Sequence, residues 1–247
     1  MNKHILFGTL ALLTGSLLAA NAAPKDDLTA AAKKLADKDN YAWKQTIENA
    51  GGGGFGGGTS EGKTEKDGYL WLSMTMRDNT IEAVKKGDKG AIKTQDGWQS
   101  LSEATSGDPS PATFIARRMQ NFKAPAAQAE DLAGKTKELK QDGDVYSGEL
   151  TEEGAKSQLM FGGRAGGNGP EISGAKGSVK FWVKDGVLSK YEIKVQGKVS
   201  FNGNDRDVDR TTTVEIKDIG TTKVDVSDDA KKKLNPPEPA PAPKTKA

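Results

Sequence analysis

The 247-residue sequence contains no cysteine, and its only histidine is the fourth residue. Without cysteine there is no disulfide framework, thiol nucleophile or thiolate metal site. Once the leader described below is removed, histidine is gone too. That excludes Ser-His-Asp and Cys-His catalysis, histidine-ligated zinc or iron, and histidine pH switching. An enzyme built on this chain would have to use carboxylates, lysine, serine or tyrosine. The 34 acidic residues single out no pair for glycosidase-type chemistry, so the expectation is a protein without catalytic activity, cofactor or metal. Arginine is scarce as well: Arg77, Arg117, Arg118, Arg164, Arg206 and Arg210 are the whole supply. The formal charge is only +2, with lysines scattered among acids. Neither nucleic acid nor arginine-fork phosphate recognition is expected from that balance.

Long apolar runs are missing except at the start. Residues 1–4 are a short cationic segment, residues 5–18 are apolar but for Gly, Thr and Ser, and Ala20-Asn21-Ala22 supplies a small-x-small pattern. This is the layout of a secretory leader, too short for a lasting membrane anchor. Cleavage is expected after Ala22 or Ala23, dividing the chain into a signal peptide (1–22), a single domain (23–234) and a tail (235–247). No cysteine follows the apolar run to carry a lipid. The expectation is an exported, soluble protein, periplasmic or extracellular, with no transmembrane anchor in the mature chain. The tail reads NPPEPAPAPKTKA, a composition suited to an extended, disordered segment.

What is present is mostly strand and turn. Only 34% of the residues are apolar and 30 are glycine, so the core is lean and much of the chain lies in turns or on solvated surface. Residues 27–37 read as a helix, with Leu28, Ala31, Ala32 and Leu35 on one stripe. Residues 41–47 alternate as a first strand. Residues 69–76 (YLWLSMTM) give the clearest strand pattern, with Leu70, Leu72, Met74 and Met76 on one face. Turn pairs such as Asp96-Gly97, Asp142-Gly143, Asp185-Gly186 and Asn202-Gly203 then punctuate β-like runs. Helices interrupt in the middle. One starts at Ser110-Pro111, with Phe114, Ile115, Met119 and Phe122 as its apolar stripe and Pro125 as its end. Another starts at Thr151. A last helix, capped by Ser227, follows short strands at Thr212–Ile216 and Val224–Val226. The fold class expected is β-rich α+β: a large curved antiparallel sheet or half-open barrel with a few covering helices.

Residues 57–64, GGTSEGKT, match the phosphate-binding P-loop at every required position. A working P-loop follows a buried strand and opens a helix. Here a glycine run precedes it and an alternating strand follows, so nucleotide binding is not expected; the segment reads as the mobile end of a hairpin loop. Asp205, Asp207 and Asp209 alternate beside a turn, but Arg210 stands where a calcium loop needs glycine, leaving a solvated strand edge.

The early helix, long meander and central helical interruption resemble the lipoprotein-carrier fold, the group of the periplasmic outer-membrane lipoprotein carrier and the mycobacterial lipid-binding envelope lipoproteins. The segment FWVKDGVLSKYEIKV at residues 181–195 is similar to that family's W-x-x-D-G hairpin, and VEIKDIGTTKVDV at 214–226 resembles its closing strands. The resemblance implies an incomplete barrel whose concave face holds acyl chains under a helical lid. Leu70, Leu72, Met74 and Met76 would line the cavity, and Phe114, Ile115 and Met119 the lid. The partner implied is a lipid or an acylated protein. The alternative is an envelope structural protein with the same sheet and a filled core. The first strand lacks the family's arginine, and two glycine-rich inserts, 51–58 and 162–169, are additional.

Overall fold

A computed structural model describes residues 19–50, 57–66, 68–76, 79–106, 110–160, 170–201 and 203–234. Most of the expected leader, the Pro-rich tail, most of both glycine-rich inserts and the Met76 side chain lie outside the described residues. The chain runs α1 (Ala19–Ala36), β1 (Asn40–Asn49), β2 (Gly58–Glu65), β3 (Leu70–Met76), β4 (Asn79–Lys86), β5 (Lys89–Thr94) and β6 (Gly97–Ser100). Helices α2 (Leu101–Ser106), α3 (Pro111–Gln120) and α4 (Pro125–Gly134) follow. The second half has β7 (Lys140–Asp142), β8 (Val145–Glu149), α5 (Glu152–Leu159), β9 (Glu171–Lys184), β10 (Val187–Phe201), β11 (Asn204–Lys217) and α6 (Asp228–Leu234).

All eleven strands form one antiparallel sheet in the order β6-β5-β4-β3-β2-β1-β11-β10-β9-β8-β7. Two meanders are therefore joined along β1 and β11, with β6 and β7 as the terminal strands among the described residues. The helical stretch α2–α4 connects those strands in sequence. This is the half-open barrel expected from the pattern, with the helix, meander and central interruption that the lipoprotein-carrier resemblance implies. Turn chemistry sets the hairpins: Asp185 and Gly186 sit at φ 53° and 71°. Two successive positive φ values match the right-handed twist of the strands they join.

The P-loop pattern is not a loop. Residues 58–65 are β2, paired with β1 from Gly58–Ile47 to Glu65–Asn40 and with β3 from Thr59–Thr75 to Thr64–Leu70. That corrects the expectation of a mobile hairpin end. Glycine is required within the strand because the Trp43 ring lies over it: a Cβ on Gly62 would sit 2.0 Å from that ring. The tryptophan fills the space glycine vacates and stacks on Phe122, with centroids 6.1 Å apart and planes at 17°.

Other boundaries shift for local reasons. Helix α1 begins at Ala19 and contains Pro24, so it starts ahead of the expected cleavage point. Helix α3 starts as its sequence dictates, with the Ser110 hydroxyl accepting from the Thr113 N–H at 3.1 Å and proline opening the helix. It ends at Gln120, and Pro125 opens α4 instead of closing α3. Thr151 caps α5, accepting from the Gly154 N–H at 3.0 Å. The expected strand at Val224–Val226 is absent. That backbone is held by side chains: the Thr222 N–H donates to Asn40 Oδ1 at 2.7 Å and the Val224 N–H to Glu65 Oε1 at 2.9 Å.

One apolar cluster fills the concave side, including Leu28 and Leu35 of α1, Trp43, Leu72, Met119, Leu132, Phe181, Tyr191 and Val214. A smaller one lies on the outer face, where α6 sets Ala230 and Leu234 against Val84 and Ala91, flanked by Trp71 and Trp98. The tryptophans thus do not share a face, and a stacking platform is not built from them.

Candidate functional site in the concave face

Strand register aligns the inner-face side chains into rows. Ala83, Leu72, Gly62, Trp43 and Ile216 form one row from β4 to β11. It is sealed on most of its length: Ala83, Leu72 and Trp43 are fully buried. The next row is Ile81, Met74, Ser60, Gln45, Val214 and Tyr191. Here Ile81, Ser60 and Gln45 are only half-buried. Ile47 and Thr212, paired one step further on, are also half-buried. Between β4 and β11 the inner face is therefore closed at the Trp43 level and incompletely covered towards Ile47.

Helices α1 to α5 all contribute to the cover. α1 and α4 pack together, and their contact surfaces are built from leucine and alanine: Leu28, Ala31, Ala32 and Leu35 face Ala126, Ala129, Leu132 and Ala133, all buried. Small side chains let the two axes approach closely. Polar contacts join this pair to the sheet. The Tyr191 hydroxyl on β10 donates to Gln128 Oε1 on α4 at 2.6 Å. At the start of α4, Ala124 offers no capping side chain. The Tyr41 hydroxyl lies instead against the Ala126 N–H, one of the helix's unsatisfied donors. Burial pushes the Tyr41 hydroxyl up to about 12, with that N–H pulling the other way. Burial also raises Tyr191 well above its ordinary value, with the nearby Tyr41 hydroxyl adding to the shift. Helix α3 is held at its C-terminus, where Lys85 Nζ donates to the Gln120 carbonyl at 3.2 Å, a cation placed at the negative end of the helix.

Of the residues singled out in the sequence, Leu72, Met74, Ile115 and Met119 meet in the inner cluster, and Leu70 packs against it half-buried. Phe114 does not join them; it is 44% exposed. Ile115 and Met119, four residues apart, occupy the inward stripe of α3, and Phe114 falls a third of a turn off it. Met76 belongs to β3, but its side chain is outside the described residues. An open cleft of about 320 Å³ lies away from these side chains, lined by Ala36, Lys38, Tyr41, Thr64, Ala124 and Ala126 among others.

The sequence reading passed over two arginines. Arg210 points inward from β11 between Asn49 and Val195, is 6% exposed, and donates from Nη2 to the Gln158 carbonyl at the end of α5. Arg118 on α3 is half-buried and close enough that its charge acts on Arg210. Desolvation, followed by that second guanidinium, lowers Arg210 to about 10, and desolvation alone lowers Arg118. Their sequence signal was weak: Arg210 extends the Asp-rich alternation at 205–209, and Arg118 sits beside the exposed Arg117. Asp205 and Asp209 themselves pair across to β10, with Lys198 at 3.6 Å and Gln196 at 2.8 Å. Among the described residues no group of three or more His, Cys, Asp or Glu is arranged to hold a metal ion, and no helix is long and apolar enough to cross a membrane.

No family model matches the sequence, and neither does any curated protein. Solved structures similar to it include LprF from Mycobacterium bovis, at 11% identity and a TM-score of 0.45, covering 85% of this chain and 98% of that one. The Mycobacterium tuberculosis lipoprotein LppX is similar at 12% identity and a TM-score of 0.46, covering 84% and 100%. A LolA superfamily protein from Nitrosomonas europaea is similar at 10% identity and a TM-score of 0.34, covering 82% and 94%. These likenesses concern the layout of strands and helices.

Proposed function

We propose that this chain is an exported, non-enzymatic protein that binds or carries a hydrophobic ligand, the acyl chain of a lipid or of an acylated protein, in the cell envelope. The leader-like residues 1–22 support export, and residues 23–234 are the proposed working domain. The ligand would lie on the inner face of the sheet, where Leu70, Leu72 and Met74 face Ile115 and Met119. The supporting observation is the uneven cover of that face: sealed at Trp43 and Leu72, half-covered at Ile81, Gln45 and Ile47. An acyl chain entering there would displace α3 and the α1–α4 pair, whose apolar surfaces would then cover it. Methionine suits such a surface because its flexible thioether adapts to ligands of differing shape.

A second reading has a specific observation in its favour. The inner cluster is closely packed, with Leu28, Leu35, Phe181 and Tyr191 fully buried. An envelope structural protein with a filled core would have that packing too. Titration of the mature protein with a fluorescent fatty acid separates the two. The carrier reading expects saturable binding that Ile81→Trp weakens, because the indole occupies the half-covered row. Absence of saturable binding, or binding indifferent to Ile81→Trp, contradicts it.

A further inference from the structure

The half-covered part of the inner face is not wholly apolar. Gln45 on β1 and Ser60 on β2 are direct cross-strand partners in the row that also holds Met74 and Val214. Thr212 of β11 lies one row further on, opposite Ile47. Partners across an antiparallel ladder share a face with their Cβ atoms about 5 Å apart, so the Gln45 amide and the Ser60 hydroxyl project side by side. Gln45, Ser60 and Thr212 are all half-buried, and among the described residues none of them makes a side-chain hydrogen bond. Polar side chains under the finished parts of the structure behave differently. The Thr136 hydroxyl donates to the Leu132 carbonyl at 2.8 Å and the Thr222 hydroxyl to the Asp218 carbonyl at 2.7 Å. Tyr191, two strands along from Gln45 in the same row, gives its hydroxyl hydrogen to Gln128. Covered polar groups are normally paired in this way, which sets Gln45 and Ser60 apart.

What these side chains offer defines the group that fits them. A glutamine amide brings two N–H donors and a carbonyl acceptor, and a serine hydroxyl adds one donor and further acceptor capacity. Neither is charged, and from β4 to β10 the rows of Gln45 and Ile47 hold no charged side chain among the described residues. Arg210 stands one row beyond Thr212, and its guanidinium is engaged with the Gln158 carbonyl. A carboxylate or phosphate lying at Gln45 would lose water without meeting a cation in either row, whereas a neutral oxygen group loses little and gains donors. Ile81, Met74 and Ile47 around the pair suit the hydrocarbon attached to such a group. We propose that Gln45 and Ser60 form a hydrogen-bonding subsite for the ester group of an uncharged acyl lipid, with Gln45 Nε2 and Ser60 Oγ donating to the ester carbonyl oxygen. The inference rests on the ligand-binding reading above and narrows it: the ligand is a neutral acyl ester of the acylglycerol type, held by its ester in the half-covered row while its chain lies along the apolar side chains.

The test compares a monoacylglycerol with the 1-O-alkylglycerol of the same chain length, which has an ether in place of the ester and so lacks the carbonyl. Each displaces a neutral fluorescent acyl probe from the full mature chain. The ester is expected to bind about fivefold more tightly than the ether, the scale of one or two net hydrogen bonds. Gln45→Leu should bring the two affinities together by weakening the ester alone, and Ser60→Ala should give an intermediate ratio. Unchanged ether binding in the variants reports an intact fold and an intact apolar surface. Equal affinities in the wild type, or an ester preference that survives Gln45→Leu, overturn the subsite while leaving the carrier reading standing. The free fatty acid of the same length forms a separate arm: tighter binding of its anion than of the monoacylglycerol overturns the neutral-ester assignment, again without touching the carrier reading. Saturable binding of none of these lipids overturns both.

Discussion

The Tyr191 hydroxyl reaches across the concave space to donate a 2.6 Å hydrogen bond to Gln128 Oε1, tying the middle of the sheet to the α1–α4 pair. The ring of Tyr191 is fully buried, so this bond joins the packed core to the cover that a ligand would have to move. Tyr191→Phe is expected to lower stability by about 1 kcal/mol, the ordinary net value of such a bond. It should also speed uptake of a fluorescent fatty acid, because less holds α4 against β10. Denaturant unfolding and stopped-flow fluorescence check the two parts; slower uptake in the variant would show that the bond does not restrain the cover.

Trp43 over Gly62 gives a second expectation. Gly62→Ala forces a methyl group into the indole ring and should destabilise by about 1–3 kcal/mol, the usual range for overpacking. Gly134→Ala at the end of α4 meets nothing within 4 Å and should be neutral or stabilising by up to about 1 kcal/mol. Thermal unfolding of both variants checks the contrast. Equal effects would mean that the ring does not depend on the glycine.

Alkaline pH should weaken the fold through its buried tyrosines. The Tyr41 hydroxyl is raised from 10.0 to about 12 in the folded protein. The unfolded chain therefore loses this proton first, so the stabilisation is complete below pH 10 and is lost as pH rises to about 12. Tyr41→Phe should accordingly show a smaller fall in stability between pH 8 and pH 11 than the wild type, measured by urea unfolding. An unchanged fall would contradict this account of Tyr41.

Much of the scaffold was legible in the residues because its signals are local. Alternation marked β1 and β3, Asp185-Gly186 set the β9–β10 hairpin, and Ser110-Pro111 and Thr151 opened their helices with working caps. What was misread depends on partners distant in sequence. Residues 58–65 have little strand character alone, but β1 and β3 bind them on both sides, and Trp43 supplies the bulk that their glycine lacks. Val224 and Val226 alternate like a strand, yet the Asn40 and Glu65 side chains take the N–H groups of Thr222 and Val224. Among the candidate site residues, the β3 alternation put Leu72 and Met74 on one face, and both lie in the inner cluster. Phe114 was assigned to the inner stripe by hydrophobicity, although the helical angle of Ile115 and Met119 leaves it outside. Arg210 could not be placed inside from the sequence, because the Gln158 carbonyl that accepts from it lies 52 residues earlier in the chain.

The measurement closest to the central claim is native mass spectrometry of the full-length chain expressed with its leader and purified from the exported fraction without detergent. Ligand binding predicts a species heavier than the mature polypeptide by one acyl-bearing molecule, which solvent extraction removes and returns as a lipid. A chain that flies at the bare mature mass in every preparation, and that also fails to take up added fatty acid, would contradict the account and leave the filled-core protein in its place.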